Sequence, residues 1–351
     1  MAGAASSTLA AQAAPDVIRL PRKVRVALIG LEGHTGEIFS HLPRLPDVEL
    51  VAIQDADEKA LERTARNPRL SAARRYTDYR RMLDAEKLDL VAVCGPNGPR
   101  AAAILAVVER KLHVIAEKPL AIEQEDLERI KKAVAAAGIR LSMLLPMRFS
   151  PPYLALKQVV DSGEIGPVAQ IAAQKSYKAG DRAAWFKKRS TYGGTMPWIG
   201  SHMVDLMRWT SGREFTEVFS YETRIGFPEL GEMENVTATL FRLDNGGAGT
   251  LRMDYFRPQT APTHGDDRLR LAGLKGVVEY QAATGVTVMS DQGKPRVVSE
   301  LPPAGSVFLD FLGSVYLGKP AALSPKDIYR VCDIVLAARQ SADQHRVIRL
   351  A

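Results

Sequence analysis

The sequence predicts an α/β protein in two parts: an N-terminal Rossmann domain on a doubly wound parallel sheet, and a C-terminal α+β domain with a large open, mostly antiparallel sheet. The first part is indicated by the regular alternation of strand-like and helix-like segments up to residue 146. Strands with Val, Ile and Leu on both faces, separated by helices, are typical of a parallel sheet covered on both sides. The second part is indicated by residues 215–300, where strand-like segments follow one another with few helices between them.

A chain of 351 residues commonly forms two domains. We place the boundary between them where the alternation of strands and helices ends. We predict a disordered lead-in over 1–22, a Rossmann domain over 23–146 and a second domain over 147–351. In the first domain we expect strands at 24–30, 48–54, 88–95, 113–117 and 139–145, and helices at 35–42, 55–66, 98–110 and 123–137. In the second we expect helices at 151–161, 305–317 and 325–342, and strands at 235–243, 247–256, 267–281 and 286–290.

The helices of the first domain have local signals. The first shows the helical spacing of Ile38 and Leu42. The second can be capped by Asp55 or by Asp57, because a short carboxylate accepts hydrogen bonds from the first turn. The fourth is stopped by Gly138, which suits the left-handed conformation at a helix end.

The composition excludes several classes of protein. The net charge is +7 and arginines cluster in one segment, but this segment has no interleaved aromatics and no nucleic-acid motif. We interpret it as a solvated helical face, with attraction of a phosphorylated cofactor or an acidic substrate as the alternative. Its arginines are Arg63, Arg66, Arg69, Arg74, Arg75, Arg80 and Arg81. The apolar runs fall short of the roughly 20 residues of a membrane span. Cys94 and Cys332 lack disulfide or metal spacing, which favours a reducing, cytoplasmic compartment. No nucleic-acid or membrane partner is predicted.

The turn after the first strand carries a phosphate-binding pattern. It contains Gly30, Gly33 and Gly36 around His34 and Thr35. Glycines let the backbone turn tightly and approach a pyrophosphate, whose charge the N–H groups of the next helix attract. The spacing is one residue longer than the common GxGxxG, and packing of a strand against a helix would also explain glycines. We predict that these five residues contact a dinucleotide.

An acidic residue after the second strand indicates which dinucleotide binds. Asp55 can accept hydrogen bonds from ribose hydroxyls and would repel a 2′-phosphate, so NAD is the predicted cofactor. Asp55 could also cap the next helix, although Asp57 is placed for that role. NADP stays an alternative, because several cations nearby in the sequence could reach a 2′-phosphate. These are Lys59, Arg63, Arg74 and Arg75.

Two later strands end in polar residues. Pro96 and Asn97 follow one strand, and Glu117 and Lys118 follow the next. Open α/β sheets bind ligands at the carboxyl ends of their strands, so these four residues are predicted at the cofactor site. Lys118 cannot continue into a helix because of Pro119, and would lie beside the nicotinamide. There, burial and a cationic ring would lower its pKa toward neutrality, although a surface lysine in a turn is the ordinary alternative.

In this order, the motifs resemble those of the Gfo/Idh/MocA oxidoreductase family over residues 22–350. The resemblance also includes RFSP at 148–151, GEIGPV at 163–168 and GGTMPWIGSHMVD at 193–205. It implies reversible hydride transfer between NAD(P) and a hydroxyl of a sugar, an inositol or a related polyol. It further implies that the second domain binds this small-molecule substrate and forms a homodimer or homotetramer.

Carried over residue by residue, the resemblance makes Lys118 and His202 the catalytic pair. Removal of hydride from a carbinol needs a base for the hydroxyl proton and a cation for the developing alkoxide, and imidazole suits the base near neutral pH. We therefore predict that His202 is the base. The residues expected to bind or orient the substrate are Arg148, Tyr177, Trp198 and Asp205.

The chain departs from the family pattern at three positions. The glycine turn is longer, and Arg100 stands where a histidine commonly follows the Pro-Asn pair. Trp198 stands where many members have an aspartate four residues before the histidine. An indole cannot titrate, although it can stack on a sugar ring. This leaves open a second interpretation, a catalytically inactive cofactor-binding sensor or regulatory subunit.

Two other patterns have simpler explanations. Tyr153 and Lys157 have the YxxxK spacing of short-chain dehydrogenases, but the glycine turn of that family is missing, so we predict an ordinary amphipathic helix. His202 and Asp205 are three residues apart and could share a cation, but no nearby cluster supplies further ligands. No metal is predicted, and Asp205 is expected to orient the imidazole or to hold its helix.

Overall fold

A computed structural model describes residues 17–68 and 70–350, so most of the predicted lead-in lies outside the described residues. The first sheet has six parallel strands. They are β1 (Val24–Ile29), β2 (Val48–Gln54), β3 (Arg74–Tyr76), β4 (Leu90–Val93), β5 (His113–Ala116) and β6 (Leu141–Met143). The helices between them are α1 (Gly36–Phe39), α2 (Glu58–Ala65), α3 (Tyr79–Ala85), α4 (Asn97–Glu109) and α5 (Gln124–Ala137).

The strands of this sheet are arranged in the order β3-β2-β1-β4-β5-β6, which confirms the predicted Rossmann domain. β1, β4 and β5 are apolar and almost entirely buried, because helices cover both faces of the sheet. The direction of winding reverses between β1 and β4. Ligands of such sheets bind at that point, beyond the carboxyl ends of the strands, and the glycine turn follows β1 there.

The helix after the glycine turn is shorter than predicted. α1 ends at Phe39, and a separate 3₁₀ turn over Leu42–Arg44 follows it. Pro43 has no N–H to continue the helical bonding pattern, and it disfavours a helical conformation for the residue before it. The prediction of one helix over 35–42 is therefore wrong in its second half.

The arginine-rich segment does not form the single helical face that was predicted. Arg63 lies on α2, Arg74 and Arg75 on β3, and Arg80 and Arg81 on α3, while Arg69 lies outside the described residues. β3 and α3 were not foreseen. A strand of three residues is too short to show a period of two, and α3 depends on Asp78, which caps it by accepting from the N–H groups of Arg80 and Arg81.

The second sheet has nine strands in the order β14-β13-β12-β11-β7-β10-β9-β8-β15. They are β7 (Val168–Lys178), β8 (Phe215–Thr223), β9 (Val236–Leu243), β10 (Ala248–Arg257), β11 (Gly265–Gly273), β12 (Gly276–Gln281), β13 (Gly285–Ser290), β14 (Arg296–Val297) and β15 (Ile348–Arg349). The pairs are antiparallel except for β7 and β10, which run parallel. A mostly antiparallel sheet was predicted and is confirmed.

Helices α6, α8 and α10 pack on one face of this sheet. The helices of this domain are α6 (Pro151–Asp161), α7 (Arg189–Tyr192), α8 (Ser201–Ser211), α9 (Val307–Tyr316) and α10 (Pro325–Gln344). A π-helical turn over Met196–Gly200 leads directly into α8. Such turns are rare and frequent at functional sites, and this one carries Trp198 toward the first domain.

The two domains contact each other through the closing helices. Asp333 on α10 accepts hydrogen bonds from Lys131 at 2.7 Å and from Gln124 at 3.0 Å, both on α5. Ser306, just before α9, donates to Glu37 on α1 at 3.1 Å. The ends of β1 and β5 thus lie against the second domain. Among the described helices, none is long and apolar enough to cross a membrane.

Candidate active site

The glycine turn after β1 packs tightly against the ends of β4 and β5. Gly30 has a φ of +80°, and a Cβ there would collide with Gly95 after β4. Gly33 has a φ of +67°, and a Cβ there would collide with the Glu117 carboxylate. A Cβ on Gly36 would meet no atom of the described chain within 4 Å. The first two glycines are therefore required by the turn itself, whereas the third leaves open space that a phosphate could approach.

A cleft of about 410 Å³ lies beside this turn, and Asp55 and Pro96 line it. The two oxygens of Asp55 accept hydrogen bonds from the N–H groups of Leu31 and Asp57, both at 2.9 Å. Each oxygen keeps a lone pair, which suits the two hydroxyls of a ribose. Asp57, and not Asp55, caps α2 through the N–H of Lys59. The cleft therefore fits the nucleoside end of a dinucleotide.

The charges in this cleft fit NAD better than NADP. Two cations, Arg80 and Arg100, line it together with two carboxylates, Asp55 and Asp78, but the Arg100 guanidinium is bound to backbone carbonyls. The four cations expected to reach a 2′-phosphate do not line it. Two of those four are engaged elsewhere, because Arg74 binds Glu86 and the Arg75 guanidinium donates to backbone carbonyls. A pair of carboxylates would repel a 2′-phosphate.

Glu117 holds the glycine turn against the end of β5. Its buried carboxylate accepts from the backbone N–H of His34, from the ring Nδ1 of His34 at 2.6 Å, and from the N–H of Lys118 at 3.0 Å. Burial would raise the pKa of Glu117, but His34, Lys118 and Arg100 outweigh it and lower this pKa to about 2. The carboxylate is thus ionised, and it fixes the turn rather than facing the cleft as expected.

Arg100 and Asn97 also have structural partners. The buried Arg100 guanidinium donates to the carbonyls of Pro119 and Gly95, each at 2.7 Å, and so joins the ends of β4 and β5. Burial lowers the pKa of Arg100 to about 10. Asn97 was expected at the cofactor, but its buried amide donates to the carbonyl of Tyr192 at 2.7 Å. It ties α4 to the second domain.

Lys118 reaches the second domain and lies on the face of Trp198. Its Nζ is 2.9 Å from the centre of the indole ring, where the negative face attracts a cation. Trp185 and Phe186 pack edge to face with the same indole, with ring centroids 5.5 Å and 5.4 Å away. Trp198 is only 9% exposed. The expected stacking on a sugar ring is replaced by contact with Lys118.

His202 meets His34 from the opposite domain. The two rings lie edge to face, with centroids 5.1 Å apart and an angle of 77° between their planes. His202 is 5% exposed, and its Nδ1 has no hydrogen-bond partner among residues 17–68 and 70–350. Burial lowers the pKa of His202 well below its usual value, and Lys118, His34 and Lys175 lower it further. This imidazole is therefore neutral at physiological pH.

A polar cavity of about 440 Å³ opens beside the two histidines. Its polar and aromatic lining consists of His34, Ser150, Tyr153, Tyr177, His202, His264, Asp267 and Tyr280. The hydroxyl of Tyr153, Oδ1 of Asp267 and Nδ1 of His202 are buried without partners in the described part of the chain. Buried polar atoms without partners cost free energy. A ligand with several hydroxyl groups would satisfy them, and Tyr177, predicted to bind the substrate, lines the same cavity.

Lys175, which is fully buried, forms an ion pair with Asp267, which lines this cavity and is 20% exposed, and neither residue was predicted at the site. They face each other across β7 and β11, with Nζ and Oδ2 2.8 Å apart. Burial would lower the pKa of Lys175, but Tyr177 and Asp267 outweigh it and raise this pKa. The sequence contained a signal for this pair: Ile171, Ala173 and Lys175 are two residues apart on one strand and therefore share one face of the sheet. A charge on a core-facing position indicates a buried partner.

Arg148 and Asp205 bind each other and not a cavity ligand. The guanidinium of Arg148 contacts both carboxylate oxygens of Asp205, with one distance of 3.0 Å, and also Asp327 and the carbonyl of Ala322. Both side chains are almost completely buried. Arg148 does not line the cavity, and Asp205 bonds to Arg148 rather than to His202, which agrees with the second expectation for Asp205, that it holds its helix. The pair instead anchors α8.

The two remaining patterns are explained by local contacts. Lys157 forms an ion pair with Asp161 one turn along α6, and Tyr153 packs edge to face on Tyr280 with centroids 5.2 Å apart. Lys157 therefore does not act together with Tyr153, as predicted, although the Tyr153 hydroxyl faces the cavity described above. Across the ranges that the structure describes, no cluster of three His, Cys, Asp or Glu side chains could hold a metal ion.

Family models match both domains of the chain. Residues 24–144 match the GFO/IDH/MocA model described as an oxidoreductase family with an NAD-binding Rossmann fold. Residues 153–279 match the GFO/IDH/MocA C-terminal domain. The first match ends at residue 144 and the second begins at residue 153.

Similar proteins extend over nearly the whole length. The myo-inositol 2-dehydrogenase of Thermotoga maritima is 24% identical over 339 residues, which cover 93% of this chain and 98% of that protein. The scyllo-inositol 2-dehydrogenase (NAD(+)) of Bacillus subtilis is 26% identical over 266 residues, 74% of each chain. A solved structure from Thermotoga maritima superposes with a TM-score of 0.88 at 31% identity, covering 93% of this chain and 100% of that one. With the strand order and the nucleotide cleft, these matches show that the chain belongs to the Gfo/Idh/MocA family of NAD-binding oxidoreductases.

Proposed function

We propose that the protein is a dehydrogenase that transfers a hydride between NAD and a CH–OH group of a cyclic polyol or sugar. One observation carries the proposal: His34 of the NAD-binding domain and His202 of the second domain line one polar cavity, and Lys118 of the first domain lies close to His202, against Trp198. The unpartnered polar atoms in its wall suit a ligand with many hydroxyl groups. The inositol dehydrogenases among the similar proteins support the same substrate class.

The division of labour at this site follows from its residues. When bound, NAD supplies the hydride acceptor, and the protein has to hold the substrate and to move its hydroxyl proton. Asp55 would hold a ribose, and the open space at Gly36 would admit the pyrophosphate. Tyr153 and Asp267 would hold substrate hydroxyls through the atoms that lack partners.

Lys118 is better suited than His202 to accept the hydroxyl proton. Burial lowers the pKa of Lys118 to about 7, against the opposing charge of Glu117. A proton acceptor works best when its pKa lies near the operating pH. His202, with a pKa well below its usual value because of burial, stays neutral and would hydrogen-bond the reacting oxygen. The role of base that the sequence suggested for His202 therefore passes to Lys118 in this proposal.

A panel of inositols and pyranoses, assayed with NAD⁺ and NADP⁺ by cofactor absorbance, tests the function. We expect turnover of at least one cyclic polyol and a preference for NAD⁺. Oxidation needs the neutral amine, so kcat/KM should rise with pH through about 7 and level off above it. Tight binding of NAD⁺ without turnover of any substrate would instead favour the sensor or regulatory role.

Two predictions from the sequence complete the proposal. We propose a homodimer or homotetramer, which is supported by the exposed apolar side chains of Tyr221 and Leu240 on neighbouring strands of the second sheet. The cytoplasmic location rests on the two unpaired cysteines, both of which are buried thiols.

A further inference from the structure

The site contains a second histidine that the reaction above does not use. His34 comes from the glycine turn of the first domain, and its ring touches the ring of His202 from α8. Both rings line the cavity in which the substrate is proposed to bind. A residue of the nucleotide-binding turn is thus placed at the proposed reacting centre.

The orientation of His34 is determined by Glu117. Nδ1 of the ring lies 2.6 Å from a carboxylate oxygen of Glu117. The Glu117 side chain is fully buried, so water does not compete for this hydrogen bond. Because the carboxylate is ionised, it accepts this hydrogen bond and Nδ1 keeps its proton. Nε2 then carries the lone pair in the neutral ring. A carboxylate that fixes an imidazole tautomer in this way is the arrangement used where histidine moves protons.

His34 is more exposed than the buried groups of the first domain and of α8, and His264 on the other side of the cavity is exposed as well. Its side chain is 32% exposed, whereas Lys118 is 2% and His202 is 5% exposed. A proton that leaves the substrate inside the cavity has to reach solvent before the next turnover. Of the two partly or fully exposed histidines at the cavity, His34 is the one whose ring contacts the buried His202.

The charged and titratable groups around His34 come from both domains. They are Glu117 and Lys118 after β5, His202 on α8, Lys175 and Tyr177 on β7, His264 before β11 and Asp267 on β11. The aspartate that the family pattern places four residues before the histidine is missing here, and Trp198 cannot carry a proton. Just before α8, Trp198 therefore stands in place of a titratable residue. In the glycine turn, His34 is titratable.

We propose that the Glu117–His34 pair is a proton carrier that connects the buried site with solvent. In the oxidation direction the substrate O–H bond breaks and its proton passes through the buried acceptor to Nε2 of His34, and from there to water. With NAD⁺ as the hydride acceptor, the hydride would come from the carbon that bears this hydroxyl. The products would be a carbonyl compound, NADH and one released proton. This step rests on the proposed dehydrogenase function.

The replacement His34→Asn tests this role. The amide nitrogen of asparagine can take the place of Nδ1 and keep the bond to Glu117, but it cannot carry a proton. We expect NADH affinity, measured by fluorescence titration, to stay within about twofold, while kcat falls about a hundredfold, in the range of lost acid–base catalysis. Added imidazole should restore part of kcat. His345→Asn, the same replacement at a helix end outside the site, should leave kcat unchanged.

A second measurement needs neither cofactor nor substrate. The pKa of His202 is lowered mainly by burial, and the charges of Lys118, His34 and Lys175 lower it further. In the unliganded protein, the NMR titration of the His202 ring should therefore shift to higher pH when His34 is replaced. His34→Gln, which loses the bond to Glu117, provides an independent variant if the turn does not tolerate asparagine.

The outcomes separate this proposal from the proposed function. If the wild type oxidises a polyol but both variants keep its kcat and the His202 titration, His34 is not a proton carrier and the dehydrogenase function stands. If the wild type binds NADH but turns over no polyol or sugar, both proposals fall. A lower kcat without rescue by imidazole, together with weaker NADH binding, would mean that His34 only shapes the turn, and would also overturn the proposal.

Discussion

The two sides of the site, which we call the first and second walls, each contain one buried lysine near His202, but the two lysines are held in opposite states. On the wall formed by the Rossmann domain, Lys118 lies on the face of Trp198, and burial lowers its pKa to about 7. On the wall formed by the second sheet, Lys175 is bonded to Asp267, and its pKa is raised. The exposed fractions of the two side chains are nearly the same, at 2% and 0%. Burial alone therefore does not explain the difference.

The difference lies in the group that each ammonium touches. A buried cation is stable only if a carboxylate or several hydrogen bonds replace its hydration. An indole face contributes on the order of 1 kcal/mol, which is less than a direct ion pair in a buried place. Lys118 in the first wall can therefore gain and lose its proton during turnover, whereas Lys175 in the second wall stays protonated.

The largest expected effect comes from removal of the titrating lysine. Lys118→Met should lower kcat about 10²- to 10⁴-fold, because the site loses its proton acceptor. Steady-state kinetics with the best substrate of the panel measures this. Lys157→Met makes the same change on the outside of α6 and should leave kcat near the wild-type value. Wild-type activity in Lys118→Met would show that the first wall does not move the proton.

The second expected effect comes from giving Lys118 a carboxylate partner. Trp198→Asp should raise the pKa of Lys118 by about 1–3 units, because an adjacent negative charge favours the ammonium. The pH profile of kcat/KM for oxidation should move up by the same amount, and the rate at neutral pH should fall. Trp198→Phe retains a ring face and should keep the midpoint near 7. A folded Trp198→Asp protein with an unmoved midpoint would contradict this account of the first wall.

The smallest expected effect concerns stability. Asp267→Asn removes the partner of Lys175 and should cost about 3 kcal/mol of unfolding free energy at neutral pH, the lower end for a broken buried pair. The folded pKa of Lys175 is raised above its usual 10.5, so the stabilisation is fully present below that pH and is lost as pH rises through the folded pKa. Urea unfolding at neutral and alkaline pH measures both.

Asp266→Asn is the matched control for that change. Asp266 lies next to Asp267 on β11 and is exposed to nearly the same extent, at 21% against 20%. It pairs with Arg268, which is almost half exposed, and accepts from Gln174. An exposed pair contributes about 1 kcal/mol or less. Equal losses for the two variants would mean that the second wall does not depend on a buried charge.

The parts of the fold that were predicted correctly depend on local patterns. The alternation of apolar strands and helices was sufficient for the Rossmann domain, and α6 has the predicted bounds of 151–161. The misses also have local causes: Pro43 shortened the first helix, and β3 is too short to show its period. Asp57, and not Asp55, became the helix cap, which leaves Asp55 in the cleft as predicted.

The sequence by itself determined the glycine turn, the acidic residue after β2, the Glu-Lys-Pro motif after β5 and the presence of His202 on a helix. Turn chemistry and the ends of strands are properties of neighbouring residues, so they can be predicted from short segments. Only the tertiary structure decided which side chains face each other. Trp198 covers Lys118, Asp267 pairs with Lys175, and Arg148 takes the carboxylate of Asp205. These contacts join residues that are far apart in the chain, and the charge state of a buried group depends on such contacts more than on its own segment.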